Sequence, residues 1–203
     1  WSPPCGFPLE ITGAVIFSPS PSGRRLAIVR EDSSAAGNGS KSKTYTIELW
    51  DRGGNDDNGE MGLLSRVATR STHEQIMGDA WFGGFAWTPD ETRAIYVAQK
   101  SALKARSFFA GDKSQAKAAV GQQFAYRQDW GELYVGVTDL ALFLVDFEGA
   151  FVAELPGLAP KRTPGQPVMV PDGRSVLYTS WDAETKLGII YCSQARTTFV
   201  CGV

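Results

Sequence analysis

Histidine is nearly absent from the chain, with His73 the only one in 203 residues. A Ser-His-Asp set needs a histidine within reach of an activated serine, and His73 stands in the polar run Ser71-Thr72-His73-Glu74, a setting that reads as a loop. No Gly-x-Ser-x-Gly elbow exists to mount a hydrolase nucleophile. Cysteine is scarce as well. Cys5, Cys192 and Cys201 form an odd, sparse set that favours a reducing compartment. Cys192 and Cys201 are spaced to face each other across a hairpin, but buried free thiols are the preferred reading, and no Cys/His spacing fits zinc.

Charge of one sign and long apolar runs are missing too. Twenty Lys and Arg stand against twenty-two Asp and Glu, without a basic cluster interleaved with aromatics, so no nucleic-acid partner is expected. The longest strictly apolar run, Leu140 to Val145, falls far short of the ~20 residues that span a bilayer, and no signal-peptide order opens the chain. No membrane partner is expected. Because the chain opens on Trp1, it is read as a segment of something longer.

Apparent cofactor motifs fail on inspection. Gly111-Asp112-Lys113-Ser114 lacks the upstream glycine of a phosphate loop, and Gly37-Asn38-Gly39 has no third glycine after it. The acidic run Asp51 to Glu60 lacks the alternating carboxylates of an EF-hand loop and reads as a solvated hairpin loop. Asn38-Gly39-Ser40 is a glycosylation acceptor only in a secreted chain. No catalytic, cofactor-binding or metal-binding residue is therefore assigned, and no cofactor is expected.

What is present is a repeat. Gly83 to Lys100 reads as two short strands joined by Thr88-Pro89-Asp90-Glu91-Thr92, with proline presetting the first corner of a type I turn. The pattern recurs at Gly13 to Val29 and at Gly165 to Tyr178, with Gly13–Pro19, Gly83–Pro89 and Gly165–Pro171 sharing a spacing of six residues. Each turn is followed by arginine and then an apolar strand. The copies lie farther apart than the roughly 40–50 residues of a compact propeller blade, so insertions are expected in the loops.

Taken in order, the first unit places strands at Ala14–Phe17, Arg25–Glu31, Tyr45–Trp50 and Leu63–Ala68. A Ser/Gly-rich loop from Asp32 to Lys43 and the acidic run after Trp50 intervene. The second unit has strands at Gly83–Trp87, Ala94–Ala98, Asp139–Phe147 and Phe151–Leu155, with a long insertion from Ser101 to Gln128. The third has Val168–Val170, Ser175–Trp181, Leu187–Cys192 and Thr197–Cys201. Four antiparallel strands per unit, and a run without polar residues on either face at Leu140–Val145, predict stacked blades. The fold class is all-β: a partial β-propeller of about three four-stranded antiparallel blades with loop insertions, over residues 11–70, 81–156 and 163–203. Gly13, Gly83 and Gly165 are expected to begin the innermost strands, where the axis leaves least room for side chains.

One cluster is unusual. Phe124-Ala125-Tyr126-Arg127-Gln128-Asp129-Trp130-Gly131-Glu132 suggests a turn whose tryptophan packs into a blade and whose carboxylates pair with arginine. From Tyr126 to Glu132, together with Phe82 to Thr92, Tyr96 to Lys100, Ser107-Phe108-Phe109, Thr163 to Gln166 and Leu187 to Cys192, the sequence resembles the N-terminal propeller of eukaryotic acylaminoacyl peptidases, of the prolyl oligopeptidase family of serine peptidases. The likeness runs from about Phe17 onward and is most specific at Asp129-Trp130-Gly131-Glu132; the loops at 32–43 and 51–60 fall outside it.

The resemblance implies a propeller portion placed before an α/β-hydrolase domain that removes N-acylated residues from short peptides. The triad would lie in that domain, so this segment would carry no catalytic residue and would filter peptides by size. Implied partners are short N-acylated peptides, the hydrolase domain, the remaining blades and a homo-oligomeric copy, in the cytoplasm. The alternative is a propeller scaffold for protein interactions with no enzyme attached, decided by the sequence downstream of Val203. Three blades without the rest of a ring would expose apolar faces, so the segment alone is not expected to fold independently.

Overall fold

Three antiparallel sheets, stacked face to face, make up the computed structural model, which describes residues 9–32, 44–52, 61–69, 72–101, 126–131, 133–184 and 186, and the backbone of 195–202. The first sheet has the order β1 (Ala14–Pro19), β2 (Arg25–Asp32), β3 (Thr44–Arg52) and β4 (Met61–Ala68). The second holds β5 (His73–Ile76), β6 (Phe85–Trp87), β7 (Arg93–Lys100), β8 (Leu140–Asp146) and β9 (Phe151–Glu154). The third runs β10 (Arg162–Met169), β11 (Ser175–Asp182), β12 (Ala195–Gly202). No helix occurs among the described residues. The chain is an all-β partial propeller, as the repeat implied.

The repeated turns are built alike, bond for bond. In each, the first residue donates its N–H to the carbonyl five positions on (Ser20 to Arg25, Thr88 to Arg93, Val170 to Ser175), and its own carbonyl accepts from the residue three on, at 2.8–3.0 Å. Proline sits at the first corner, and the residue three on must turn left-handed to re-enter the ladder. Glycine meets that demand at Gly23 (φ 73°) and Gly173 (φ 67°); the second turn uses Glu91 at φ 58°.

The middle sheet explains the wholly apolar run. Alternation along β8 sends Ala141, Phe143 and Val145 into a core shared with Val29, Ile47 and Leu49 of the first sheet. Leu140, Leu142 and Leu144 enter a second core with Val176, Tyr178 and Trp181 of the third. β7 alternates the same way, with Tyr96 facing one neighbour and Ile95 and Val97 the other. Each large apolar side chain buried here contributes roughly 1.5–3 kcal/mol. Both faces are dry because a sheet stands on each side.

The first sheet also buries a carboxylate. Glu48, on β3, accepts from Arg30 Nε at 2.9 Å, Arg66 Nη2 at 2.7 Å and Trp50 Nε1 at 3.1 Å. Burial pushes its pKa up, but these hydrogen bonds and the Arg30 charge outweigh that and hold it below the ordinary value.

Three strand expectations need correction. His73–Ile76 is a strand rather than a polar loop: it pairs with the far end of β7 (His73 opposite Lys100), while β6 pairs with the near end (Trp87 opposite Ala94). The inner strand of the second blade is therefore two pieces separated by residues 77–84. In the third blade, β11 pairs directly with Ala195–Gly202, in register from Trp181 opposite Ala195 to Ser175 opposite Gly202. Leu187–Cys192, which the sequence pattern places between them, lies outside the described residues. β10 starts at Arg162, well before Val168, and a bulge between Gly165 and Val168, with Gln166 at φ 50°, lets it carry Pro164 and Pro167 on an edge strand.

Two of the repeat glycines stand where a side chain has no room, and the third has a left-handed backbone. Gly13 has φ 74°, and a Cβ there would meet only the Glu31 carbonyl oxygen, at 3.7 Å. A Cβ on Gly83 would stand 2.2 Å from the Asp79 carbonyl oxygen, and one on Gly165 would stand 2.6 Å from the Trp181 ring.

Candidate functional site

Residues 77–84 leave the sheet as a loop and cross toward the third blade. Asp79 shapes it: one carboxylate oxygen accepts the N–H of Trp81 at 2.8 Å and of Phe82 at 2.9 Å, and the hydroxyl of Tyr134 at 2.7 Å. Held this way, Phe82 is fully buried, with its ring 4.9–5.3 Å from those of Trp130, Tyr134 and Trp181. The Phe82 carbonyl accepts the Gln166 N–H at 3.3 Å, and the Gln166 side chain donates to the Ala80 carbonyl at 2.9 Å. The loop thus fastens the inner strand of the third blade to the second.

Trp130 is the packed residue that its cluster suggested, with no exposed surface. Asp129 corrects the expectation of an arginine partner. Its carboxylate accepts two backbone N–H groups instead, from Gly131 at 3.1 Å and Gly136 at 2.7 Å, closing residues 129–136 into a tight loop. The loop exposes its apolar tip, with Leu133 and Val135 each 77% accessible. Phe124, Glu132, Cys5, Cys192, Gly111 to Ser114 and Asn38 to Ser40 lie outside the described residues.

His73 is buried, 3% exposed. Its Nδ1 lies 2.9 Å from the Glu74 carbonyl oxygen, which can only accept, so Nδ1 carries the proton. Nε2 then accepts from the Tyr96 hydroxyl at 2.7 Å. The ring also packs against Phe143, with centroids 4.8 Å apart. Burial lowers its pKa, against the raising effect of the Glu74 carbonyl, so the imidazole is held neutral and both nitrogens are engaged internally.

A cleft of about 340 Å³ opens where β1, β5 and the loops meet, between the first and second blades. Val15, Ile76 and Val137 give it apolar walls, Leu133 and Val135 stand at its mouth, and Glu31 and Asp79 supply carboxylates. Each carboxylate takes a phenol hydroxyl, Tyr45 to Glu31 at 3.5 Å and Tyr134 to Asp79 at 2.7 Å. Such a surface accepts apolar side chains and hydrogen-bonds to N–H donors, as a passing peptide backbone offers. Sequence reading missed it, because its residues come from positions 15 to 137 and share no local pattern. Among the described residues no group of three or more His, Cys, Asp or Glu could hold a metal ion, and no helix is long and apolar enough to cross a membrane.

Residues 1–201 match the family model described as the N-terminal domain of acylamino-acid-releasing enzyme. The chain is 30% identical over 209 residues to the acylamino-acid-releasing enzyme of Mus musculus and 29% identical to that of Sus scrofa, covering 96% of this chain and 27% of each relative. The enzyme of that name from Arabidopsis thaliana is 27% identical over 204 residues, covering 95% of this chain and 24% of the relative. The chain spans about a quarter of the length of these relatives.

Proposed function

The chain belongs to the family of acylamino-acid-releasing enzyme N-terminal domains, and from that premise we propose that it is the non-catalytic propeller portion of a cytoplasmic serine peptidase that removes N-acylated residues from short peptides. Catalysis falls to an α/β-hydrolase domain elsewhere in the protein. The blades over about 11–70, 81–156 and 163–203 wall one side of the chamber that peptides cross, and the ring selects them by size.

The family match across 1–201 carries this reading. Two features support the gating role. The middle blade buries both faces, which makes a rigid wall, and the cleft between the first and second blades opens beside the inner strands. An extended peptide offers both the N–H donors and the apolar side chains that this cleft complements.

The test uses the full-length protein that carries this chain. It is expected to hydrolyse an acetyl-alanyl chromogenic substrate, to be inactivated by a fluorophosphonate, and to cleave an acetylated pentapeptide far faster than an acetylated 30-residue peptide. Absence of acetyl-alanyl hydrolysis would overturn the peptidase reading in favour of a binding scaffold. Equal rates on the short and long peptides would overturn size selection alone.

A further inference from the structure

At the strand ends remote from the three repeated turns, a cleft of about 570 Å³ separates the second and third blades. Five cations line it, Lys100, Arg127, Lys161, Arg162 and Lys186, against one acid, Asp139. Lys100 pairs with Glu154, and Lys161 with Glu184 at 2.7 Å. The other three have no carboxylate ion pair among the described residues. The concavity therefore concentrates positive charge in a chain whose overall charge is −2.

One of these cations is held in place. Lys186 Nζ donates to the carbonyl oxygens of Gln128 at 3.0 Å and Thr138 at 2.7 Å, while Gln128 Nε2 donates back to the Lys186 carbonyl at 3.0 Å. An ammonium has three N–H donors, so one is left after the two carbonyls are served. Burial pulls the Lys186 pKa down despite the nearby Asp139 and Asp129, so an added anion there would relieve a charge held out of water. Arg162, also in the lining, carries an unsatisfied donor: its Nη1 is buried and has no hydrogen-bond partner among the described residues. A buried guanidinium N–H without an acceptor is costly to leave unmade.

The rest of the lining narrows the ligand. Leu140, Leu158, Ala159 and Pro160 give the cleft an apolar side. A bare inorganic anion would leave that side against water, whereas an organic carboxylate fills both halves, and the planar guanidinium matches its two oxygens. The volume lies within the roughly 300–1,000 Å³ of small-ligand clefts. We propose that this cleft is a binding site for an organic carboxylate, the free C-terminus or acidic side chain of a short peptide, held by Arg162, Lys186 and Arg127.

The test is equilibrium binding to the full-length protein, and it stands whether or not that protein is a peptidase. Calorimetric titrations would use the free acid Ala-Leu-Ala, its C-terminal amide, Ala-Asp-Ala amide, and inorganic phosphate. The free acid should bind at least about tenfold more tightly than its amide, the expected effect of losing one charge-assisted hydrogen bond. Ala-Asp-Ala amide recovers the affinity if the site takes side-chain carboxylates and fails to if it takes termini. Arg162→Met and Lys186→Met should each weaken free-acid binding by about tenfold. Arg174→Met, on the exposed turn at the other end of the blade, should leave it unchanged. Should Arg162→Met not fold, Arg127→Met, at an exposed position on the rim, gives the same reading. Acid and both amides binding alike, phosphate binding as tightly as the acid, unaltered affinity in the cleft variants, or no binding at all because other parts of the chain fill the cleft would each overturn the proposal.

Discussion

Glu91, in the turn of the second blade, grips Ser22 in the turn of the first: its two carboxylate oxygens accept the Ser22 N–H at 2.6 Å and the Ser22 hydroxyl at 2.8 Å. Its carbonyl oxygen accepts from Arg25 Nη1 at 2.7 Å. Glu91 does this from the left-handed conformation that the matching Gly23 and Gly173 adopt. A non-glycine residue there costs of order 1–3 kcal/mol, which a blade-to-blade contact offsets.

Glu91→Ala and Glu91→Gly both lose the carboxylate contact, but only glycine relieves the backbone. Both variants should be less stable than wild type, with Glu91→Gly about 1 kcal/mol more stable than Glu91→Ala in denaturant unfolding. Alanine equalling or exceeding glycine would mean that the backbone carries no strain at Glu91.

His73 makes stability depend on pH. Its pKa is lowered in the folded chain, so below ~6.5 the unfolded chain binds a proton that the buried imidazole resists. The contribution is full above ~6.5 and is lost as pH falls toward the folded pKa, by up to ~1.4 kcal/mol per pH unit. The melting-temperature advantage of wild type over His73→Gln should therefore shrink between pH 7.5 and 5.5. An advantage constant across that range would show that His73 does not titrate on unfolding.

Trp130 combines complete burial with an indole N–H that has no hydrogen-bond partner among the described residues. Trp130→Ala should cost roughly 3–5 kcal/mol through the cavity it leaves. Trp130→Phe should cost markedly less, because no hydrogen bond is lost and the contact with Phe82 persists. Chemical denaturation of the full-length variants gives both numbers, and a phenylalanine variant as unstable as the alanine one would contradict the packing role.

Gly83→Ala forces a methyl group to within 2.2 Å of the Asp79 carbonyl oxygen, a backbone atom that cannot step aside. The 77–84 loop must then give up its place against the third blade. Lost protection of the Phe82 and Gln166 amides in hydrogen exchange, with a lower melting temperature, is the expected outcome. Wild-type protection at both amides would show that the loop accommodates a side chain.

The turns were legible because their chemistry is local. Proline followed by Ser or Asp predicts a type I turn whatever surrounds it, and six hydrogen bonds in three turns follow that pattern. Leu140–Val145 was legible for a similar reason, since a strand tolerates such a run only when both of its faces are covered. His73 misled because the polarity of its neighbours says nothing of a strand edge 23 residues away where Tyr96 offers a hydroxyl.

The blade as the unit, the form of its turns, the two-sided burial of its middle strands and the family can all be read along the chain, because each rests on local chemistry or local pattern. The strand that pairs with β11, the way residues 77–84 lock two blades together and the positions of the clefts emerge only once the sheets have packed. β-propensity marks Leu187–Cys192 and Thr197–Cys201 alike as strands, because it measures fit to a pleated surface and not the identity of the neighbour. The clefts gather residues as distant as Lys100 and Lys186, and no periodicity along the chain records a meeting made only when sheets stack.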